Sequence, residues 1–404
     1  MEINFIFAML GLCSSILWNQ LLLSVGLLVK LFGESAISIA ASSQNVLCAL
    51  VMWVLTFAPA SVAMKVRGGE DHRSRQIMLA GLSIACMLGI GAVLVLSMIV
   101  RELPLWLFVA LVALDGAATG SAQIVSASLG GMLSGSSSDA SGALLLGEAA
   151  APLLTALCSA LVSLQPGHDD SYRTTLTTLA LPMVVLLLAL VALLKLYNAN
   201  PPGGVPVECK TLGIASSNAE GASFVSMRTR ALLPNASCVC ALCMIWIYFL
   251  CSVPAVAAGL CGVGAEQASS SRCLETVPSL MVGISNVAAF IGRLVGGMLP
   301  PGCLPTWALF GETAAVAAFG MAAILWTETL HAGVTSPQIF GGALSGLLTL
   351  WCNALLMRLS AAAQRGAGPA HSILCPCPIT AQISWVAIQT GCVAGSALSF
   401  VLHP

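Results

Sequence analysis

The stretch PLWLFVALVALDGAATGSAQIVSASLGGML, residues 104–133, contains one charged side chain, Asp115. Its first eleven positions are apolar, and Gly, Ala, Ser and Thr dominate the remainder, with Gln123 among them. A helix needs about 20 mostly apolar residues to cross a lipid core, so this segment is long enough to span. Small residues three or four apart, such as Gly116 and Gly120, let a neighbouring backbone approach closely. The segment reads as a span inside a bundle, with Gln123 turned into the crowded interior.

The whole chain follows the same pattern. Of its 404 residues 58% are apolar and 8% charged, and mean hydropathy is +0.96. A soluble surface carries about 25–35% charged residues, which this chain cannot supply. A net charge of -1 leaves no electrostatic footprint for nucleic acid. Apolar runs between charges or Pro/Gly punctuation predict eleven spans: 3–29, 36–64, 76–100, 104–133, 140–164, 174–196, 236–260, 277–299, 304–327, 336–360 and 378–402. No cleavable signal peptide is expected, because the first apolar run is too long and lacks a basic leader.

Orientation follows from counting cations on each side. With the N-terminus in the cytoplasm, the inner side holds Lys65, Arg67, Arg73, Arg75, Lys195, Lys210, Arg228, Arg230, Arg358 and Arg365. The outer side holds Lys30, Arg101, Arg173 and Arg272, and Arg293 lies within a span. An odd number of spans then puts the C-terminus outside. Residues 198–234 open with Pro201-Pro202-Gly203-Gly204, show no apolar periodicity and read as a cytoplasmic linker. It joins a six-helix half, 1–197, to a five-helix half, 235–404.

Most of the 16 cysteines lie in apolar runs, where a thiol behaves as a small hydrophobe. Cys238, Cys240 and Cys243 have ligand-like spacing without a neighbouring His or acid, so no metal is expected. Cys261 and Cys273 share one outer loop and are candidates for a disulfide. The sequon Asn235-Ala236-Ser237 falls on the inner side and stays unmodified.

Ionisable groups inside spans mark function by default. They are Asp115, Glu148, Arg293 and Glu312; the neutral polar set includes Asn19, Gln44, Asn45, Gln123, Asn286, Asn353 and Gln389. Side-chain amides suit base edges and ribose hydroxyls, and suit helix-to-helix bonds equally well. Arg293 either snorkels to headgroups, pairs with Asp115 or Glu148, or binds a hydroxyl-rich solute. Pro152 predicts a kink in the fifth span. The five histidines, His72, His168, His331, His371 and His403, lie in loops or at the tail, which argues against an intramembrane protease. There is no phosphate loop for ATP drive and no repeated filter segment for a channel. An enzyme is not expected, and no cofactor is called for.

Five segments carry a family resemblance. "LWNQLLLS" (17–24) resembles a Pro-Trp-Asn signature, with Trp18 and Asn19 matching and Leu17 replacing the proline. "GAATGSAQIVSASLGGM" (116–132) resembles a Gly/Ala-rich segment in which Gln123 takes the place of a glutamine. "IYFLCSVPAV" (247–256) resembles a Phe-Pro-Ala-Val end with Val253 for the aromatic residue, and "GCVAGSALSFVL" (391–402) a small-residue run ending in Ser-Phe. "NVAAFIGRLVG" (286–296) fits Asn-x-Phe-Asp-x-x-Gly-Arg at Asn286, Gly292 and Arg293, but Ala288 and Ala289 replace the aromatic and the acid. On these residues the chain resembles a divergent member of the equilibrative nucleoside transporters.

The resemblance implies eleven spans of this polarity and facilitated diffusion of nucleosides, or nucleobases, by alternating access. It implies that Trp18 bounds the base, Gln123 reads a base edge and Arg293 holds ribose hydroxyls. Asn19 and Asn286 either touch solute or brace helices. With the local acid lost at Ala289, another must compensate or the substrate has changed; Asp115 and Glu148 are the candidates. Glu148 and Glu312 are candidates for proton coupling, and Asp115 otherwise anchors its span at the outer leaflet. The expected fold class is an all-α polytopic membrane protein, eleven transmembrane helices in a six-plus-five, pseudo-symmetric, major-facilitator-like arrangement. Expected partners are a purine or pyrimidine nucleoside and membrane lipid, with a monomer in the plasma membrane. The alternatives are a twelve-span major-facilitator transporter of another small solute, a proton-coupled nucleoside symporter, and a non-transporting membrane protein.

Overall fold

A computed structural model describes residues 2–23, 28, 31–32, 34–57, 69–100, 103–133, 140–163, 178–199, 218–261, 267–299, 306–329, 336–365 and 378–402. Among these are eleven long helices, each over one of the expected spans. They are α1 (Glu2–Leu23), α2 (Glu34–Phe57), α3 (Gly69–Val100), α4 (Leu105–Leu133), α5 (Ala140–Ser163), α6 (Ala180–Ala199), α7 (Asn218–Cys261), α8 (Gln267–Met298), α9 (Thr306–Thr329), α10 (Pro337–Arg365) and α11 (Pro378–Leu402). On length and hydropathy nine of them qualify as spans over their described residues. In α5 the apolar stretch is the shorter Gly142–Cys158.

One boundary differs from expectation. The stretch 198–234 is helical from Asn218 onward, so α7 is 44 residues long. At about 1.5 Å per residue, that is roughly twice the hydrocarbon thickness of about 30 Å. Beyond Gly221, residues 218–233 contain no helix breaker, and absence of apolar periodicity proved a weak reason to deny a helix there.

The chain divides into two compact units, Met1–Pro234 with Ala363–Val386, and Asn235–Ala362 with Ala387–Pro404. In the first unit the most extensive packing is α1 on α5 and α2 on α4. Glycine is what brings these pairs to backbone contact. A Cβ on Gly116 or Gly120 would strike the carbonyl oxygens of Gln44 and Cys48, and one on Gly11 or Gly147 those of Leu144 and Ala8. In the second unit Gly292 and Gly296 of α8 meet the carbonyls of Leu350 and Ala354 on α10, while Gly391 and Gly395 of α11 meet Cys240 and Met244 on α7. Partner numbers rise together in both α2–α4 and α8–α10, so each pair runs parallel. First with fifth and second with fourth is thus the rule in both units, an internal repeat of helix packing.

Burial is arranged for lipid. The first unit encloses Leu17, Leu21, Ile90, Leu94, Phe108 and Val112, whereas Met78, Leu82, Leu96 and Ile99 of α3 point outward. A long exposed apolar face is what a membrane-embedded helix presents. Trp106 and Trp307 are exposed in the first turns of α4 and α9, the depth favoured by interfacial aromatic rings.

Pro152 lies inside α5 and has no N–H for the carbonyl of Glu148 four residues earlier. Ser15 Oγ of α1 donates to that carbonyl at 3.4 Å. The proline therefore both weakens its own helix and creates an acceptor for the neighbour.

Adding one methyl tests the packing. Gly120→Ala and Gly292→Ala are expected to destabilise the protein by about 1–3 kcal/mol each through overpacking. Gly89→Ala and Gly311→Ala, where nothing lies within 4 Å of the new Cβ, should be neutral or slightly stabilising. Thermal unfolding in detergent measures all four, and equal effects at both kinds of site would refute the backbone-contact account.

Candidate functional site

The second unit carries a polar ladder between α8 and α10. Ser345 Oγ donates to the Met281 carbonyl at 2.7 Å, and the hydroxyls of Ser285 and Thr349 lie 2.6 Å apart. Positions 281, 285 and 293 share one face of α8, as 345, 349 and 353 share one face of α10. The ladder ends where Arg293 Nε donates to Asn353 Oδ1 at 2.9 Å, both residues being buried. Asn353 Nδ2 in turn donates to the Thr349 carbonyl at 2.9 Å. Gly292, by letting α10 approach to backbone contact, places Asn353 within reach of the adjacent guanidinium.

Arg293 thus has an amide as acceptor on the parallel helix. An amide partner is hard to read from sequence, where only an acid stands out as a partner by charge. The spacing that matters is set by tertiary contact at Gly292 and has no signature along the chain.

Beside this pair a crevice of about 160 Å³ is lined by Leu242, Cys243 and Trp246 of α7 and Cys352, Asn353 and Leu356 of α10. The indole N–H of Trp246 is buried with no hydrogen-bond partner among the described residues. Such an orphaned donor costs about 1–3 kcal/mol. Sequence reading passed over Trp246 because a Trp in an apolar span is ordinary packing; only burial of its nitrogen singles it out.

The first unit has its own polar cluster. Gln123 Nε2 donates to Glu148 Oε1 at 3.2 Å, joining α4 to α5, and the Cys48 thiol faces Gln123 Oε1 at 3.9 Å. Gln20 Nε2 donates to Thr178 Oγ1 at 2.7 Å. Asp115 is buried, and neither of its carboxylate oxygens has a hydrogen-bond partner among the described residues. That is a costly state for a carboxylate in an apolar interior.

The remaining expected residues are placed differently. Trp18 packs on the apolar cluster of the first unit, and Asn19 Nδ2 donates back to the Ser15 carbonyl of its own helix at 2.8 Å. Asn286 is half-buried on α8. Glu312 lies 3.5 Å from Arg358, a partly exposed ion pair between α9 and α10 that accounts for both charges. Cys261 is disulfide-bonded; the side chain of Cys273 lies outside the described residues. Among the described residues no group of three or more His, Cys, Asp or Glu could hold a metal.

The amide's role in the ladder is measurable. Asn353→Ala removes an acceptor from a charged donor and is expected to cost about 1.5–3 kcal/mol, whereas the half-buried Asn286→Ala should cost less. Guanidinium or thermal unfolding of the two variants decides it, and equal losses would mean that Asn353 does not hold Arg293.

No protein-family model matches the chain, and no curated protein matches it by sequence. Among solved structures, a variant of the Escherichia coli fucose:proton symporter FucP matches with a TM-score of 0.56 at 12% identity, over 98% of this chain and 91% of that one. FucP in its outward conformation, described as a major facilitator superfamily transporter, matches at 0.45 and 12%, over 99% of each chain. A bacterial homologue of the human drug peptide transporters matches at 0.35 and 14%, over 99% of this chain and 97% of that one. The first of these likenesses shows the fold alone: an all-α arrangement of helices like that of FucP.

Proposed function

We propose that this protein carries nucleosides, and nucleobases, across a membrane by alternating access as facilitated diffusion. The observation that carries the reading is Arg293, held buried within a span by an amide oxygen. Asn353 accepts from Nε, and a guanidinium carries five N–H donors, more than one amide oxygen takes up, so hydroxyl lone pairs can compete for them. Vicinal ribose hydroxyls have that chemistry. The five segments resembling nucleoside transporters support the same solute, and the transporter fold supports the mode of action. In the first unit Gln123, held by Glu148, is the group proposed to read a base edge.

The N-terminus is proposed to be cytoplasmic and the membrane to be the cell surface. The disulfide at Cys261 supports this orientation, since such bonds persist in oxidising compartments. It lies at the opposite end of α7 from Arg228 and Arg230, the expected inner cations.

A second reading, proton-coupled uptake, is favoured by Asp115, a buried carboxyl group without a hydrogen-bond partner. Glu312 is a poorer candidate because Arg358 already engages it.

Radiolabelled uridine and adenosine uptake into proteoliposomes tests both. Saturable uptake is expected, reduced about tenfold or more in Arg293→Ala, as loss of a hydrogen bond from a charged donor implies. Arg293→Lys, which keeps the charge and loses the fork, should recover only part of it. Uptake blocked by fucose or a dipeptide and not by nucleosides would overturn the solute assignment. Accumulation driven by a pH gradient and abolished in Asp115→Asn would replace facilitated diffusion with symport.

A further inference from the structure

We infer that Trp246 is a solute-binding residue whose indole N–H donates to a carbonyl oxygen of a planar oxo-heterocycle, a uracil- or hypoxanthine-type base. This deepens the nucleoside reading and rests on it. The indole nitrogen is buried without a partner at the edge of the crevice between α7 and α10. The same crevice is bounded by Asn353, which holds Arg293. Among the described residues no group satisfies the donor.

An indole N–H donates and accepts nothing, so the matching ligand atom is an acceptor. The other walls, Leu242, Leu356 and the thiols of Cys243 and Cys352, are apolar or weakly polar. A slot with one indole edge, one amide and otherwise apolar walls favours a flat ring over a pyranose, whose hydroxyls would be left unpaired around its rim. The adjacent Arg293 then lies where the sugar of a nucleoside would follow its base. An unpaired indole donor is less favourable than one bonded to a carbonyl, so a crevice widened around such a ring would gain that bond.

Two measurements on the full-length protein test this. Trp246→Phe keeps an aromatic ring and deletes the donor; uridine KM in proteoliposomes is expected to rise about three- to tenfold, the range for one neutral hydrogen bond. The melting temperature without solute should hold or rise, because an unpaired donor is removed. In parallel, a water-soluble maleimide is applied to the wild type and alkylated peptides are mapped by mass spectrometry. Cys243 and Cys352, both buried, should react as the crevice opens, and uridine should slow them.

Unlabelled Cys243 and Cys352 in a protein that transports uridine would overturn the inference, as would an unchanged KM in Trp246→Phe. Either result leaves the nucleoside reading intact. Absence of wild-type uptake for uridine, adenosine and hypoxanthine instead sinks that reading and this ligand class with it.

Discussion

The structure depends on parallel helix pairs that touch backbone to backbone. In lipid no hydrophobic effect pulls one apolar helix to another, so packing and interhelical hydrogen bonds must do so. Gly116 and Gly120 against α2, and Gly292 and Gly296 against α10, achieve this at equivalent places in the two units. Close approach also decides which side chains can meet. The bonds from Ser345, between Ser285 and Thr349, and from Arg293 span a gap that larger residues at the contact would open. Polar function here is a by-product of tight packing, and both would fail together if the glycines were lost.

The repeat was only partly legible in the sequence. Eleven spans could be counted because each is a long apolar run between charges or prolines, and mean hydropathy leaves little freedom. The small-residue face of α4 was equally plain, since spacing along one helix is a local property. What remained hidden is pairing between helices. Nothing along the chain links Gly292 to Leu350 or Arg293 to Asn353, because register between two helices is fixed by tertiary contact. For the same reason the bond of Asn19 to the Ser15 carbonyl of its own helix could not be told in advance from a contact with solute or with another helix. The early start of α7 was missed because a helix beyond the lipid needs no apolar stripe.

Replacement of an aromatic and an acid by Ala288 and Ala289 looked, in sequence, like loss of the partner for Arg293. Both alanines are buried, five and four residues before the arginine. Their small size suits a face packed closely on another helix, and Asn353 supplies an acceptor from across the contact.

That exchange has a consequence for transport. A carrier must bind its solute well enough to select it and weakly enough to release it, since a ligand shifts two conformations only by its differential affinity for them. An arginine locked in a carboxylate ion pair would have to break a strong charge-assisted bond at every cycle. On the proposed reading, the bond to Asn353 is a weaker one to give up, and a solute hydroxyl that replaced it would be of similar strength. Exchange between such near-equal partners costs little in either direction. It is the energetic form that a solute site needs if flux is to follow the gradient rather than stall in the bound state.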